Sequence, residues 1–346
     1  MIEDKIKEIN NLSFKSSVSK DEKEKEQLES ELKQILDGLK KDAIDKFQNE
    51  SDLKKFLDNI PKFYNYSFNN QLLIHLQNPD ATFVAPLRKF SQMGYKVNKG
   101  SKSIKILIPL FNKIVQIKQN DNSVISKYEY QLTDEEKKIF KDKTNDQITL
   151  LKEKLSRFKV GFVFDAKQTD MPLDKVEEEL YPTSNSLESK ELLNVFVKTI
   201  YRDNYKVSFV DKIESGAKGY CKTDSNEIVV LDTLGSDMKL KVLIHEYAHA
   251  LSHIHLINQN KDYKEHQNKY ESEAESIAYV VSKYLGINTQ DSSLGYLYAW
   301  SKEKDFKELE DSFSMIVNAS KKIINNFEKM YDKNHGLYSE ELKPSI

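Results

Sequence analysis

The stretch Leu243-Ile244-His245-Glu246-Tyr247-Ala248-His249 lies within one of two strongly periodic helical patterns in the chain. The apolar residues in and around it recur at helical spacing and form one face, namely Leu240, Leu243, Ile244, Tyr247 and Leu251. Ser236 is a suitable residue to cap the start of this helix. The second pattern runs from about residue 264 to residue 285 and stops at Gly286. We therefore expect two long helices in this part of the chain.

Two histidines in the quoted stretch have the spacing of a metal site. His245 and His249 are four positions apart, so they project from the same helix face and can bind one metal ion. Glu246 then lies beside the metal-bound water, where its carboxylate can act as a general base. A catalytic zinc usually takes three protein ligands and leaves the fourth position to water, whose pKa falls to about 7. The pattern predicts a Zn²⁺ site that needs one more ligand.

His255 is one candidate for the third ligand. It lies ten positions after His245, which is the spacing of the metzincin pattern. That pattern needs a glycine that breaks the helix, and Ser252 stands at this position. Without such a break, a continuing helix carries His255 away from the metal, so His255 is the less favoured candidate.

Glu271 is the favoured third ligand. It lies on the second helix, and Ala274 and Ala278 are small residues that allow this helix to pack closely against the first. Glu275 lies one turn after Glu271 on the same face, where it can accept a hydrogen bond from the free ring nitrogen of a ligand histidine. Glu273 points away from this face and remains a fallback ligand.

Several further side chains are candidates for supporting roles. Peptide hydrolysis needs an oxyanion donor, and three residues are equally suitable: Tyr220, His253 and Tyr279. His253 continues the four-residue spacing of the histidines, but it can also be a solvated residue or a support for a ligand. The aromatic residues Tyr296, Tyr298 and Trp300 are expected in a core.

The overall composition indicates a soluble chain of two domains. Its 346 residues are enough for two domains, and its formal net charge is only −2. Cys221 is the single cysteine, so any metal must be bound by histidines and carboxylates, and a reducing cytoplasm is expected. No apolar run approaches the roughly 18 residues that a membrane span needs. We expect a cytoplasmic protein that does not enter the membrane.

The N-terminal half contains patterns of both helices and strands. Residues 1 to about 58 indicate one or two amphipathic helices. Residues 113–130 indicate a pair of strands, and residues 160–164 a short apolar strand. Between them, residues 133–156 are expected to form a charged helix that begins near Thr133.

The predicted domain boundary falls in residues 173–189, which are rich in acids and serine and indicate a linker. It would separate a domain at residues 1–172 from a domain at residues 190–346. In the latter, a helix near 190–204, a strand and a hairpin precede the two long helices. The fold class expected for the chain is therefore α+β, with a mixed N-terminal domain and a helix-rich C-terminal domain that has a small antiparallel sheet.

Residues 60–119 form a basic and aromatic region. Nine lysines and arginines face one acid, Asp80, which gives a local charge of about +8 in a chain with a net charge of −2. The basic side chains that we expect to contact DNA are Lys96, Lys99, Lys102 and Lys105. The aromatic residues Phe63, Tyr64, Tyr66 and Phe68 are candidates for stacking on bases, although each is also suited to a core. Basic grooves with aromatic faces are typical of proteins that bind single-stranded DNA.

The chain resembles the ArdC-like antirestriction and mobile-element proteins in both halves. In the N-terminal half the similar segments are residues 66–73, 94–104 and 163–169. In the C-terminal half they are residues 245–253, 271–281 and 296–300, where the chain is also similar to repressor-cleaving peptidases of the ImmA and IrrE type. The chain differs from the family pattern at Phe90, where a tryptophan is expected, and in an enlarged segment at residues 113–156.

The resemblance implies an N-terminal domain that binds single-stranded DNA, followed by a zincin-like metallopeptidase domain. It places Tyr66 and Asn70 in a segment of the DNA-binding domain and implies Zn²⁺ as cofactor. The expected function is antirestriction, or protection of incoming DNA, by a protein of a mobile genetic element. Two alternatives stay open: a regulatory peptidase that cleaves a repressor, and a pure DNA-binding protein with a non-catalytic zinc site.

Overall fold

The structure is a computed structural model, and it describes residues 2–47, 50–119, 123–142, 144, 146–181, 188–222, 224–253, 263–289, 295–302 and 304–334. The chain divides into two compact units. The first unit comprises residues 1–39 and 105–162, and the second comprises residues 40–104 and 163–346. Each unit is thus built from two separate stretches of chain. The domains expected at residues 1–172 and 190–346 remain a prediction about which segments fold independently.

The fold is α+β, as the sequence predicts. The helices of the described residues are α1 (Ile2–Val18), α2 (Glu22–Ile44), α3 (Glu50–Asn59), α4 (Phe68–Gln77), α5 (Leu87–Gln92), α6 (Asp134–Lys141), α7 (Leu173–Leu180), α8 (Ser189–Arg202), α9 (Ser236–Ser252), α10 (Tyr263–Tyr284), α11 (Gly295–Ser301) and α12 (Phe306–Asn334). The strands are β1 (Val84–Ala85), β2 (Ile104–Lys118), β3 (Val124–Tyr128), β4 (Ile148–Asp165), β5 (Lys206–Val210), β6 (Gly219–Lys222) and β7 (Glu227–Leu231). Among these helices, none is long and apolar enough to cross a membrane.

The first unit combines amphipathic helices with long strands. Residues 1–58 contain three helices rather than one or two, of which α1 and most of α2 belong to this unit, and Ile6 and Ile9 on α1 are fully buried. β2 and β3 pair in antiparallel register, which confirms the pair of strands predicted at residues 113–130. The buried side chains of one core cluster come from β2, β4 and the connection between β3 and α6; they are Val115, Ile117, Leu132 and Ile148.

The helix predicted over residues 133–156 is wrong beyond its first two turns. Thr133 does cap a helix, since its hydroxyl accepts from the Glu136 amide and the Glu136 side chain accepts from the Thr133 amide. However, α6 ends at Lys141, and residues 148–156 belong to the long strand β4, which also contains the predicted strand 160–164. β4 lies beside β2 in a sheet of order β1-β4-β2-β3. This tertiary pairing outweighs the local helical pattern.

The helix-rich part of the second unit contains both predicted long helices. The α9 residues Leu243, Ile244 and Tyr247 are fully buried, as their spacing predicts, and α9 packs against α8 and α10. β6 and β7 form the predicted antiparallel hairpin, whereas β5 runs parallel to β7. The strand order β5-β7-β6 places β6 at an edge of this sheet, next to α9.

The segment predicted as a linker, residues 173–189, is helical in its first half. Val176 and Leu180 lie four positions apart on one face of α7, and both are buried in a cluster that includes Phe90. Burial of this apolar pair gives the acidic segment a place in the core of the second unit. Residues 182–187 of the predicted linker lie outside the described residues.

Candidate metal centre

The middle of α9 brings two imidazole rings side by side. The apolar face of the helix is held in the core, and its other face carries His245 and His249. Their Nε2 atoms lie 3.2 Å apart, as expected for ring nitrogens one helical turn apart that point at the same place. The structure therefore brings together the two ligands predicted from the spacing.

Glu271 on α10 completes the group. Its Oε2 atom lies 3.4 Å from His245 Nε2 and 3.6 Å from His249 Nε2. Ala274 is fully buried on the same helix, which agrees with the expectation that small side chains allow α9 and α10 to approach closely. One donor atom from each residue lies within 4.8 Å of the others, so the three residues could hold a metal ion. Two imidazoles and a carboxylate suit divalent metals, including zinc.

Hydrogen bonds link these three side chains in the metal-free structure. Burial lowers the pKa of His245, but the nearby carboxylates of Glu271 and Glu275 outweigh this effect, and the pKa is raised to about 10. The adjacent rings of His245 and His249 hold the pKa of the Glu271 carboxyl far below its usual range. Burial lowers the pKa of His249. The proton on His245 Nε2 therefore lies among the atoms that would bind a cation.

Glu246 lies beside this group on the side that faces strand β6. The Cys221 amide donates a hydrogen bond to it, and a Cβ atom on Gly219 would lie 3.4 Å from its Cγ atom, so the strand passes close to this side chain. Burial raises the pKa of Glu246 to about 7; His245 opposes this rise and Glu271 adds to it. A carboxyl group that titrates near neutral pH can both accept and return a proton.

Glu275 lies near the other ring nitrogen of His245. Its Oε2 atom is 3.4 Å from His245 Nδ1, but the two atoms are not aligned as a hydrogen bond, and Nδ1 has no hydrogen-bond partner. The close carboxylate nevertheless favours a proton on the ring. The supporting role of Glu275 stays a prediction.

Glu273 and His253 form a contact that the sequence analysis did not predict. Both are fully buried, and His253 lies between His249 and Glu273, so Glu273 faces away from the candidate metal position. The spacing of His245, His249 and His253 was the available signal for His253. Only the packing of α9 against α10 identifies its partner Glu273.

None of the three candidate oxyanion donors points into the described group. The hydroxyl of Tyr279 donates to Asp58, and the ring of His253 is bonded on both sides to other residues. Tyr220 is adjacent in β6 to Gly219, which faces α9, so the alternation of the strand turns Tyr220 to the opposite face.

Two further expectations concern residues around the group. Trp300 is 8% exposed and belongs to the core, as predicted. His255, the alternative third ligand, and the side chain of Tyr296 lie outside the described residues.

Three of the four lysines predicted to contact DNA lie on one loop of the second unit. Exposed side chains in this loop are those of Lys96, Lys99 and Lys102. Gly100 has a φ of +86°, a conformation that favours glycine. The Asn98 amide donates to the Gln168 carbonyl at 2.8 Å, and the Gln168 side chain donates to the Lys102 carbonyl at 2.9 Å. The loop is thus held in place while three positive charges face solvent.

Lys105 is less available than its strand position predicts. It lies on the face opposite the buried Ile104 and Ile106, as expected, but its Nζ atom is 2.5 Å from Glu3 Oε1 and its side chain is only 15% exposed. An ion pair with α1 within the first unit therefore covers this lysine.

Two of the four aromatic residues predicted to stack on bases contribute to the core instead. Phe63 and Phe68 are 2% and 6% exposed, so neither presents a ring face to solvent. Tyr66 is half-buried, and its hydroxyl donates to the Val84 carbonyl at 3.0 Å. Asn70 is 7% exposed. Roles for Tyr66 and Asn70 in DNA binding stay predictions.

The first unit carries an exposed aromatic pair that the sequence analysis did not identify. The rings of Tyr128 and Tyr130 stack with centroids 5.2 Å apart and an interplanar angle of 11°, and Tyr130 is 65% exposed. Beside Tyr130 lies a cavity of about 350 Å³ that is also lined by Glu129, Phe140, Lys137 and Lys141. An exposed aromatic ring and two lysines at one cavity have the chemistry to bind a base and a phosphate.

Residues 20–158 match the family model of the N-terminal domain of the anti-restriction factor ArdC. The chain is therefore ArdC-like in this region, which confirms the predicted family resemblance for this part of the chain. The match begins just before α2 and ends within β4, so it includes the basic loop and the exposed aromatic pair.

Individual proteins are also similar to this chain. An uncharacterized protein of Bacillus anthracis, pXO2-81, is 26% identical over 324 residues, which cover 89% of this chain and 53% of the relative. The chain thus spans about half the length of this curated relative. The metal-free crystal structure of the antirestriction ArdC protein from plasmid R388 has a TM-score of 0.41 and 13% identity, and covers 78% of this chain and 86% of its own. Its Mn(II)-bound structure has a TM-score of 0.41 and 12% identity, with coverage of 77% and 84%.

Proposed function

We propose that this chain is a single-stranded-DNA-binding protein with a zinc-dependent metallopeptidase site, and that it protects incoming DNA of a mobile genetic element from restriction. The ArdC-like N-terminal region supports the role in antirestriction. The observation that carries the enzymatic part is the convergence of His245, His249 and Glu271 next to Glu246. We assign DNA binding to residues 1–172 and the peptidase to residues 190–346.

In the proposed hydrolysis, His245, His249 and Glu271 hold Zn²⁺, which would polarise the peptide carbonyl and make water available as hydroxide near neutral pH. Glu246 accepts the proton of the attacking water and returns it to the leaving amine. The half-buried position of Glu246 and its pKa of about 7 suit both transfers. Glu271, whose carboxyl pKa the two histidines hold far below its usual range, would bind the cation as a carboxylate.

The edge strand β6 supports a peptide as substrate. It passes beside Glu246 and ends the three-stranded sheet, so its outer edge can pair with an extended chain. Main-chain hydrogen bonds of this kind would hold a substrate next to the carboxylate without demanding a particular sequence.

The enzymatic part is tested with metal analysis and a labelled casein substrate. Wild type should contain about one zinc per chain, and Glu246→Gln should retain it while hydrolysis falls by about 10² to 10⁴, because only the proton acceptor is lost. Glu214→Gln, which changes an exposed glutamate, is the matched control. If wild type binds zinc but cleaves neither casein nor a peptide library, the non-catalytic alternative is favoured.

A separate assay distinguishes protection from catalysis. Antirestriction by Glu246→Gln is measured during DNA transfer into a restricting host. Full protection by this variant, with hydrolysis abolished, would mean that DNA is shielded sterically. If Glu246→Gln loses both hydrolysis and protection, antirestriction depends on peptide cleavage.

The DNA-binding part is tested on the full chain, because residues 40–104 and 163–346 belong to one compact unit. In fluorescence anisotropy with labelled oligo(dT), Lys99→Ala plus Lys102→Ala should weaken binding and reduce the log–log salt slope by about 1.4, which is about 0.7 per phosphate contact. Lys212→Ala plus Lys218→Ala, two exposed lysines outside the basic region, should change neither quantity.

The exposed tyrosine should behave differently from the lysines. Tyr130→Ala should weaken oligo(dT) binding by about fivefold or more with little change in slope, since a lost stack is worth about 1 to 3 kcal/mol and releases no counterions. Tyr130→Phe, which keeps the ring, should bind as wild type does. Equal affinity of wild type for duplex and single strands would contradict the single-strand preference.

A further inference from the structure

A row of buried polar side chains extends from His249 away from the candidate metal position. His249 Nδ1 lies 3.0 Å from His253 Nδ1, and His253 Nε2 lies 3.0 Å from Glu273 Oε2. The other Glu273 oxygen accepts a hydrogen bond from the Ser312 hydroxyl at 2.6 Å. His253, Glu273 and Ser312 are each 0% exposed. The row therefore links α9, α10 and α12 through one continuous set of hydrogen bonds.

The rings in this row are fixed by packing. His253 stacks on Tyr270 with centroids 4.8 Å apart and an interplanar angle of 29°. Lys269 Nζ lies 3.9 Å from Glu273 Oε1 and compensates its negative charge. A buried carboxylate normally carries a large desolvation cost, which such partners reduce. An apolar residue at position 273 would fill the same space without the desolvation cost, so packing alone does not account for a buried carboxylate here.

The distances restrict where the protons lie. Only one hydrogen can occupy the space between two ring nitrogens 3.0 Å apart. Glu273 already accepts from Ser312, and it can accept a second hydrogen bond if His253 carries a proton on Nε2. A neutral His253 then presents a lone pair on Nδ1, and the hydrogen between the two rings belongs to His249 Nδ1. This leaves the lone pair of His249 on Nε2, the atom that faces His245 and Glu271.

We propose that Glu273, acting through His253, is a positioning residue that holds His249 in the tautomer and orientation needed to bind a metal ion through Nε2. The inference rests on the metal site proposed above and adds the two residues, Glu273 and His253, that orient its ligand His249. A negative charge at the far end of the row also increases the basicity of the ligand nitrogen. Loss of such outer partners typically reduces metal affinity about 10- to 100-fold.

The test measures zinc affinity by competition with a chromophoric chelator. Glu273→Gln keeps the size of the side chain and one acceptor oxygen, which can still face His253, but it removes the charge and replaces the other oxygen with an amide donor that the Ser312 hydroxyl can accept. It should weaken zinc binding about tenfold. His253→Phe removes the acceptor for His249 Nδ1 and should weaken binding by more than Glu273→Gln does. Ser276→Ala is the matched control, because Ser276 is equally buried on α10 but donates only to the Ser272 carbonyl of its own helix.

Circular dichroism and thermal unfolding, measured on each variant without added metal, show whether the variant is folded. If Glu273→Gln and His253→Phe are folded and bind zinc as tightly as wild type does, the positioning role of Glu273 is overturned and the proposed metal site is not. A wild type that binds no zinc would overturn the metal site itself. The two failures are therefore distinguishable.

Nitrogen NMR of wild-type protein labelled in its histidines gives a second test that needs no variant. With zinc bound, the proposal expects His249 to carry its proton on Nδ1 and His253 to carry its proton on Nε2. A proton on His253 Nδ1 would reverse the hydrogen bond and overturn the proposal. This readout reports the tautomers directly, which a merely structural role would not determine.

Discussion

Zinc binding should release a proton from His245. Without a metal ion the pKa of His245 is raised to about 10, because the two carboxylates of Glu271 and Glu275, with a smaller contribution from Glu246, outweigh the effect of burial. At pH 8 the ring is therefore about 99% protonated, and zinc must displace about one proton per chain to reach Nε2. Below the pKa, the apparent zinc affinity should rise about tenfold for each pH unit. Ionisation of zinc-bound water, with a pKa of about 7, adds to the release at higher pH.

Isothermal titration calorimetry in buffers of different ionisation enthalpy measures the number of protons released. Glu275→Gln removes one of the two carboxylates that raise the pKa of His245, so the pH of half-maximal release should move downward. Zinc binding with the same enthalpy in every buffer, or with an affinity independent of pH between about 6 and 8, would refute His245 as a ligand that is protonated in the metal-free state.

Two further variants test other features of the second unit. His75 is buried, and its Nδ1 atom has no hydrogen-bond partner among the residues that the structure describes. Burial lowers the pKa of His75 to about 4. The free energy of unfolding therefore contains the full contribution of the neutral ring above the ordinary pKa of about 6.5, and it falls by about 3 kcal/mol as the pH drops to about 4. Urea unfolding of His75→Phe at several pH values should lack this part of the acid sensitivity, and an unchanged pH profile would contradict the assignment. A Cβ atom on Gly219 would lie 2.5 Å from Val242 Cγ1, so Gly219→Ala should destabilise the protein by about 1 to 3 kcal/mol and shift β6 away from Glu246. Hydrolysis should then fall more than zinc affinity, and wild-type stability in this variant would show that the strand does not approach α9 so closely.

The sequence was sufficient to predict those features that are stabilised by contacts between residues a few positions apart in the chain. The helix around His245 and His249 follows from apolar spacing, and their shared face follows from the geometry of one helical turn. The capping box of Thr133 and Glu136 is likewise local, so the start of α6 was predictable. The length of α6 was not, because residues 148–156 gain their hydrogen bonds from a strand about forty residues earlier in the chain.

From the sequence alone came the prediction of two histidines, Glu246 and a short set of acids on the following helix as the candidate metal centre. Glu271 was selected within that set from its helix face, and the packing of α10 on α9 places its carboxylate within 3.6 Å of both rings. Only the tertiary structure decided that Glu273 lies behind His253. Burial, too, is a property of the whole fold, which is why Phe63 and Phe68 lie in the core while Tyr130 faces solvent. The physical reason is the same in each case: residue type and spacing fix directions along one element, whereas partners and exposure depend on contacts between elements that are distant in sequence.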